Sequence, residues 1–530
     1  MHIPKARNRT PRSVEILDST LRDGAQAEGI SFSVGDKLEV VRLLDSLGLG
    51  LIEAGNPASN PKDLEFFRQA SALCLQNARL CAFGSTRRKD ESAEGDKNCA
   101  ALLQANTPVV TVCGKSSALH VEEIIQTSKT QNLAMIEDTC RFFAQNGREV
   151  VFDAEHFFDG YALDAPYALE TLRAAARGGA RTLVLCDTNG GGFPWDIAEI
   201  TREVCAAFPE HVIGIHAHDD GGMAAAASCA AAAAGARHVQ GTFLGFGERV
   251  GNAALSAVLP TLQLKMGYVC LEPEQLAKLT ETALRLASIA NVRVPHSAPY
   301  VGARAFAHKG GMHTDGVAKN PAAFEHIDPA AVGGRRRCLV SEVAGRAAVL
   351  PRAQRLYPGL DDQSPALAAI VAALKARELE GYSFEGADAS FDLLIRKCVE
   401  GLPSFFELIS YKVLDQLPCG TERSATATLK IRVGGQVKIA AAEGEGPVNA
   451  LDLALREALH AFYPQLHGVR LLDYKVRIME STVGTGSQVR VLITSGDAAR
   501  QWATVGVSRD IIEASWEALV DSIVYKLLEG

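Results

Sequence analysis

Eight short apolar runs, rich in β-branched residues, recur at intervals of roughly thirty residues between positions 14 and 266. They are VEILDS (14–19), LGLIEAG (49–55), RLCAFGS (79–85), VVTVCGK (109–115), EVVFDAE (149–155), TLVLCDT (182–188), VIGIHAH (212–218) and HVQGTFLG (238–245). Each is followed by a stretch with helical spacing. Ser33 is placed to cap the first, where Val34, Leu38, Val41, Leu44 and Leu47 recur at helical intervals. Strand–helix units of this size require parallel strands joined by right-handed crossovers. Eight of them in about 250 residues predict an α/β chain with a closed (β/α)₈ TIM barrel rather than an open sheet. An open doubly wound sheet would carry a glycine-rich phosphate turn after its first strand; here the first run ends in DSTLRDG. GFGERVG (245–251) has the wrong glycine spacing and follows the last run, which argues against dinucleotide binding.

A barrel also predicts where chemistry sits, at the C-terminal ends of its strands. The polar residues there are Asp18, Arg22 and Asp23 after the first run, Glu53 in the second and Glu155 after the fifth. Asp187 and Thr188 follow the sixth, His216 and His218 end the seventh, and Glu248, Arg249 and Asn252 follow the eighth. The segment GIHAHDDGG (214–222) is the most informative of these. Residues i and i+2 of a strand point to one side, so both imidazoles converge as metal ligands must. A charged surface turn is the alternative; the gathering of polar residues at one barrel end favours the metal. The alanine-rich segment 224–236 reads as compositional bias, with close helix-to-barrel packing as the other reading.

Beyond the barrel the pattern changes twice. The expected organisation is a disordered leader over 1–13, the barrel over 14–270, a mostly helical linker region over 271–403 and an α+β regulatory domain over 404–530. In the linker, helical patterns at 274–290, 364–378 and 390–400 flank an irregular stretch, 296–329, that holds His296, His308, His313 and His326. Arg335, Arg336 and Arg337 form a basic run, suited to a solvated face or to an anionic cosubstrate tail. The last part reads as strands then helix, twice: a hairpin over 424–446 and a helix over 449–463, then strands at 473–481, 486–496 and 501–508 and a helix over 510–529. A small module with two similar halves suits binding or dimerisation.

The formal charge of −8 and pI near 6.0 argue against a nucleic-acid partner. Twelve cysteines without a C-x-x-C pair read as small buried residues in a reducing compartment. The basic N-terminus lacks the apolar segment of a secretory signal, and no apolar run reaches membrane-spanning length. A cytoplasmic protein is expected.

Three motifs, DSTLRDGAQ (18–26), GIHAHDDGG and GFGERVGNAAL (245–255), resemble the signatures of the α-isopropylmalate/homocitrate synthase family. SNPKDLEFF (59–67), FGSTRRK (83–89), DAEHFFDGY (153–161), CDTNGG (186–191), FEHIDP (324–329), LVSEVAGRA (339–347) and the C-terminal TVGVSRDIIEASWEALVDSIVYKL (504–527) resemble its citramalate synthase branch. The resemblance implies condensation of acetyl-CoA with pyruvate and thioester hydrolysis to citramalate and CoA, in isoleucine biosynthesis. It implies one divalent cation (Mg, Mn or Zn) on Asp23, His216, His218 and Asn252. It further implies catalytic roles for Arg22, Glu155 and His313, and oxo-acid binding by Arg22, Asp23 and Thr188. Read without the family, Arg22 is equally a salt bridge in the barrel mouth and His313 a loop-stabilising residue. The resemblance also implies a homodimer whose linker region reaches the partner's barrel, and isoleucine as effector. Gly484 and Gly486 are candidates for approaching an amino-acid carboxylate, or simply a hairpin turn. The same resemblance leaves 2-isopropylmalate or homocitrate synthesis, a related lyase, and a non-catalytic amino-acid-binding regulator as alternatives.

The chain departs from the family pattern at Asp219, where asparagine is usual, at Phe324, where tyrosine is usual, and at Asn56, where tryptophan is usual.

Overall fold

The computed structural model describes residues 12–338, 346–416, 424–479 and 487–529. Residues 1–11 of the expected leader, most of the LVSEVAGRA motif, and Gly484 and Gly486 lie outside the described residues. The chain forms two compact units: residues 1–306 with 326–336, and residues 307–325 with 337–530.

The first unit contains the expected barrel. Its strands are β1 (Glu15–Asp18), β2 (Leu51–Glu53), β3 (Arg79–Ser85), β4 (Val109–Lys115), β5 (Glu149–Glu155), β6 (Thr182–Asp187), β7 (Val212–Ala217) and β8 (His238–Gly241). All pair in parallel, and β8 closes on β1. Strand alternation divides the buried residues into two sets. Leu17, Leu51, Cys81, Val109, Val151 and Val184 form a cluster inside the barrel. Ile16, Ile52, Val110, Val150 and Leu183 face the outer helices. The interior is therefore packed rather than hollow. Glu15, Arg79, Glu149, Arg181 and His238 form ion pairs at its N-terminal end, and the residues singled out for chemistry gather at its C-terminal end.

The helices begin where capping chemistry allows. Helix α1 (Val34–Leu47) starts with a capping box: Ser33 Oγ accepts from the Asp36 amide at 3.1 Å, and Asp36 Oδ2 accepts from the Ser33 amide at 2.8 Å. Helix α2 (Ala224–Ala234), the alanine-rich segment, buries Ala224, Ala227, Ala231 and Ala232 in the layer around the barrel. Close packing therefore accompanies the compositional bias.

The second unit ends in two β-β-β-α halves. Strands β9 (Glu407–Gln416), β10 (Ser424–Val433) and β11 (Gln436–Gly444) form an antiparallel sheet followed by the helix Pro447–His460. Strands β12 (Arg470–Ile478), β13 (Val489–Gly496) and β14 (Gln501–Ser508) form a second, followed by the helix Ile511–Glu529. The expected hairpin is thus a three-stranded sheet. Strand β9 was not expected because the apolar residues of ELISYKVLDQ do not alternate strictly with polar ones, and its pairing shifts register between Leu408 and Ser410. The irregular stretch 296–329 contains the helix Gly311–Lys319, whose two glycines suppress the helical signal. Among the described residues, no helix is long and apolar enough to cross a membrane, and the described cysteines are free.

Candidate metal centre and active site

Asp23 follows β1 in a tight turn, His216 lies near the end of β7 and His218 just beyond it. One ligand atom from each lies within 4.8 Å of the others. Asp23 Oδ2 stands 3.4 Å from His216 Nε2 and 3.9 Å from His218 Nε2. All three residues are buried. Asn252 joins them through a backbone bridge to His218. Its Nδ2 donates to the Phe246 carbonyl at 3.1 Å, which leaves Oδ1 as the free acceptor. The glycines of GFGERVG shape this turn: Gly247 has φ +159°, and a Cβ there would stand 2.2 Å from Asn252 Nδ2.

The donor set suits a cation. Asp23 Oδ1 and Asn252 Oδ1 are buried without a hydrogen-bond partner among the described residues, a costly state unless something coordinates them. Burial opposes charge on Asp23, yet the Arg22 guanidinium and the adjacent His216 outweigh it and hold the carboxyl well below the usual range. Burial, with His216 alongside, pushes the His218 imidazole down to about 4, so it stays neutral and able to ligate. Two carboxylate or amide oxygens and two imidazoles form the mixed N/O set that borderline divalent ions accept.

Around this centre runs a cavity of about 80 Å³, lined by Arg22, Phe83, Cys113, Asp153, Glu155 and Thr188 beside the three candidate ligands. Arg22 Nη1 donates to Asp23 Oδ2 at 3.0 Å, and its guanidinium carbon lies 3.8 Å from the centre of the Phe83 ring. Thr188 Oγ1 accepts from the His156 amide at 2.8 Å. Its hydroxyl proton is thereby turned elsewhere, toward any acceptor in the cavity. Glu155 Oε2 pairs with Lys115 Nζ at 2.5 Å and accepts from Cys113 Sγ at 3.3 Å. Burial raises the Glu155 carboxyl, but the Lys115 charge and hydrogen bonds prevail and lower it. His313 belongs to the second unit, exposed on the helix Gly311–Lys319, with its ring stacked on Phe324 at 4.2 Å.

Asp219 does not face the ligands as a bare charge. Its Oδ1 accepts from the Ala224 amide at 2.8 Å, at the start of α2, where the helix dipole favours an anion. Asp220 instead binds Arg249 through both carboxylate oxygens at 2.8 Å, and the same guanidinium donates to the Thr188 carbonyl.

Gln240 is a residue of the site that no sequence motif marks, and Asp153 stands in the motif DAEHFFDGY without a role read from it. Glu53, Asp153 and Gln240 are buried in the strands and hold Arg22 and His216. The available signal was an acid inside an apolar strand: Asp153 stands two before Glu155 and so shares its face.

Sequence comparison agrees with this architecture. Residues 13–292 match the HMGL-like family, 300–379 the homocitrate synthase post-HMGL domain-like family, and 385–527 the LeuA allosteric (dimerisation) domain. The chain is 47% identical to the (R)-citramalate synthase of Aquifex aeolicus, covering 97% of this chain and 98% of that one. It is 48% identical to the (R)-citramalate synthase of a Synechocystis species, over 97% and 96%. The chain belongs to the citramalate synthase family. The 2-isopropylmalate synthase of Yersinia pestis is more distant, at 31% identity over 96% of this chain and 94% of that one. Within this family frame the first unit is the HMGL-like barrel, and the two β-β-β-α halves fall in the LeuA match.

Proposed function

We infer that this chain joins the methyl carbon of acetyl-CoA to the keto carbon of pyruvate and hydrolyses the resulting thioester, releasing citramalate and CoA. The observation that carries this reading is the convergence of Asp23, His216 and His218 on one point, in the cavity that also holds Arg22, Glu155 and Thr188.

Asp23, His216, His218 and Asn252 would hold one divalent cation, Mg, Mn or Zn. Bound there, it supplies Lewis acidity to the keto oxygen of the oxo acid. Arg22, fixed between Asp23 and Glu53, meets the negative charge that develops on that oxygen as the new bond forms. Thr188 donates its hydroxyl to the oxo-acid carboxylate. Glu155, kept ionised by Lys115, accepts the proton that leaves the acetyl methyl group. The carbanion electron pair makes the carbon–carbon bond, and the keto π pair moves to oxygen, where it takes up a proton. Water then cleaves the thioester. His313, contributed by a second copy of the chain, acts as a general base in this sequence, and Phe324 sets its ring plane by stacking.

Residues 404–530 are the regulatory part, and isoleucine is the effector. Val437, Ile439 and Ile478 are exposed on the two sheets of this part, which supports pairing of chains through this region. We place the reaction in the cytoplasm.

Steady-state assays with acetyl-CoA and a panel of pyruvate, 2-oxoisovalerate and 2-oxoglutarate test the assignment. Pyruvate is expected to give the highest kcat/KM; a clear preference for 2-oxoisovalerate overturns it. Isoleucine is expected to inhibit, and its failure to bind the purified chain in calorimetry removes the regulatory assignment.

A further inference from the structure

Gln240 stands on β8, wholly buried, in register with His216 on β7. Its Oε1 lies 3.0 Å from His216 Nδ1, and its Nε2 donates to Asp153 Oδ1 at 2.9 Å. Asp153 comes from β5, across the barrel interior, and is itself buried. These contacts fix a proton position. A carboxylate accepts, so the Gln240 amide nitrogen must face Asp153 and its oxygen must face His216. His216 then carries its hydrogen on Nδ1 and keeps the lone pair on Nε2, the atom 3.4 Å from Asp23 Oδ2.

We propose that Gln240, clamped by Asp153, is a positioning residue for the cation: it selects the His216 tautomer and ring orientation that present Nε2 to the metal. The proposal rests on the metal-centre reading above and extends it to two residues that touch no ligand position themselves. A residue that merely filled the barrel interior would be replaceable by an apolar side chain of similar volume. A tautomer-setting amide would not, because a buried N–H would be orphaned and the ring left free to turn.

The test is Mn²⁺ binding to the full chain at pH 8, read from free Mn²⁺ by electron paramagnetic resonance and independently of turnover. The unaltered chain is expected to bind one Mn²⁺. Gln240→Leu is expected to weaken binding by about 10- to 100-fold while keeping its thermal transition. Gln240→Glu alone sets two carboxylates against each other and is expected to weaken it similarly. The double variant Asp153→Asn/Gln240→Glu reverses the polarity of that bond and keeps an acceptor for Nδ1. It is expected to bring affinity back to within about threefold of the unaltered chain. Normal Mn²⁺ affinity in Gln240→Leu overturns the proposal and leaves the metal centre standing. Where Gln240→Leu does not fold, the double variant decides: folded without regained affinity, it overturns the proposal. Failure of the unaltered chain to bind Mn²⁺ overturns the metal centre, and the proposal with it.

Discussion

Arg22 Nε donates to Glu53 Oε2 at 2.6 Å, and the same Glu53 oxygen accepts from Ser19 Oγ at 2.6 Å. Glu53 is fully buried at the end of β2. The guanidinium is thus held from behind by Glu53, from the side by Asp23 and from one face by Phe83. A cation fixed in this way stabilises developing charge without having to reorganise during the reaction. Glu53→Gln keeps the volume and removes the charge. It is expected to lower kcat/KM for condensation by less than the roughly 100- to 1,000-fold of losing a preorganised donor outright, because Arg22 remains. Mn²⁺ stoichiometry, measured by dialysis and elemental analysis, should remain at one per chain.

Metal dependence follows from the partnerless oxygens of Asp23 and Asn252. Treatment with a chelator should abolish turnover, and added Mn²⁺ should restore it. Binding to the folded chain alone should also stabilise it, by about 2.7 kcal/mol at a hundredfold excess over the dissociation constant. Calorimetric scans should show the increase in the unaltered chain and none in His216→Ala.

Lys115 sets the protonation of Glu155. Burial alone would raise that carboxyl; the Lys115 charge, a short hydrogen bond from it and one from Cys113 lower it instead. Lys115→Met removes the lowering influence, so the folded-state pKa of Glu155 moves up. If Glu155 must be ionised to accept the methyl proton, activity is lost as pH falls through that pKa. The acidic limb of the kcat/KM profile should therefore shift to higher pH, by on the order of one unit. An unmoved limb would remove Glu155 from the base role.

Asp18 makes the opposite pH statement. Burial first, opposed by hydrogen bonds from Thr20, lifts its carboxyl from an ordinary 3.8 to about 7. The folded pKa exceeds the unfolded one. Its contribution to stability is therefore complete below about pH 4 and lost as pH rises through about 7. Asp18→Asn keeps an acceptor for the Thr20 amide and never ionises. Its advantage over the unaltered chain in urea unfolding should grow between pH 5 and 7, by about 2–3 kcal/mol, and then level off.

The fold was legible because a parallel barrel strand is buried on both sides and writes a nearly continuous apolar run. VVTVCGK and TLVLCDT each became a strand, β4 and β6, within a residue of their apolar limits. His216 and His218 were legible for a related reason, since a spacing of two in a strand puts both on one face. Asn252 was legible only through the family motif. Nothing in its local sequence shows that Gly247 leaves room for its amide or that the Phe246 carbonyl turns its oxygen inward. The helix Gly311–Lys319 was hidden by its own glycines, and β9 by its lack of strict alternation.

By itself, then, the sequence determined the barrel, the end of it that carries the candidate site and the pair of histidines, because each follows from periodicities of two and 3.6 along a local stretch. Only the tertiary structure decided what holds those groups in place. Gln240 meets Asp153 across 87 positions of chain, and Arg22 meets Glu53 across 31. It also decided that the Asp219 charge turns to the start of a helix rather than to the ligands. Such partnerships depend on which inward side chains the closed ring of strands brings to the same level, and local periodicity carries no information about that.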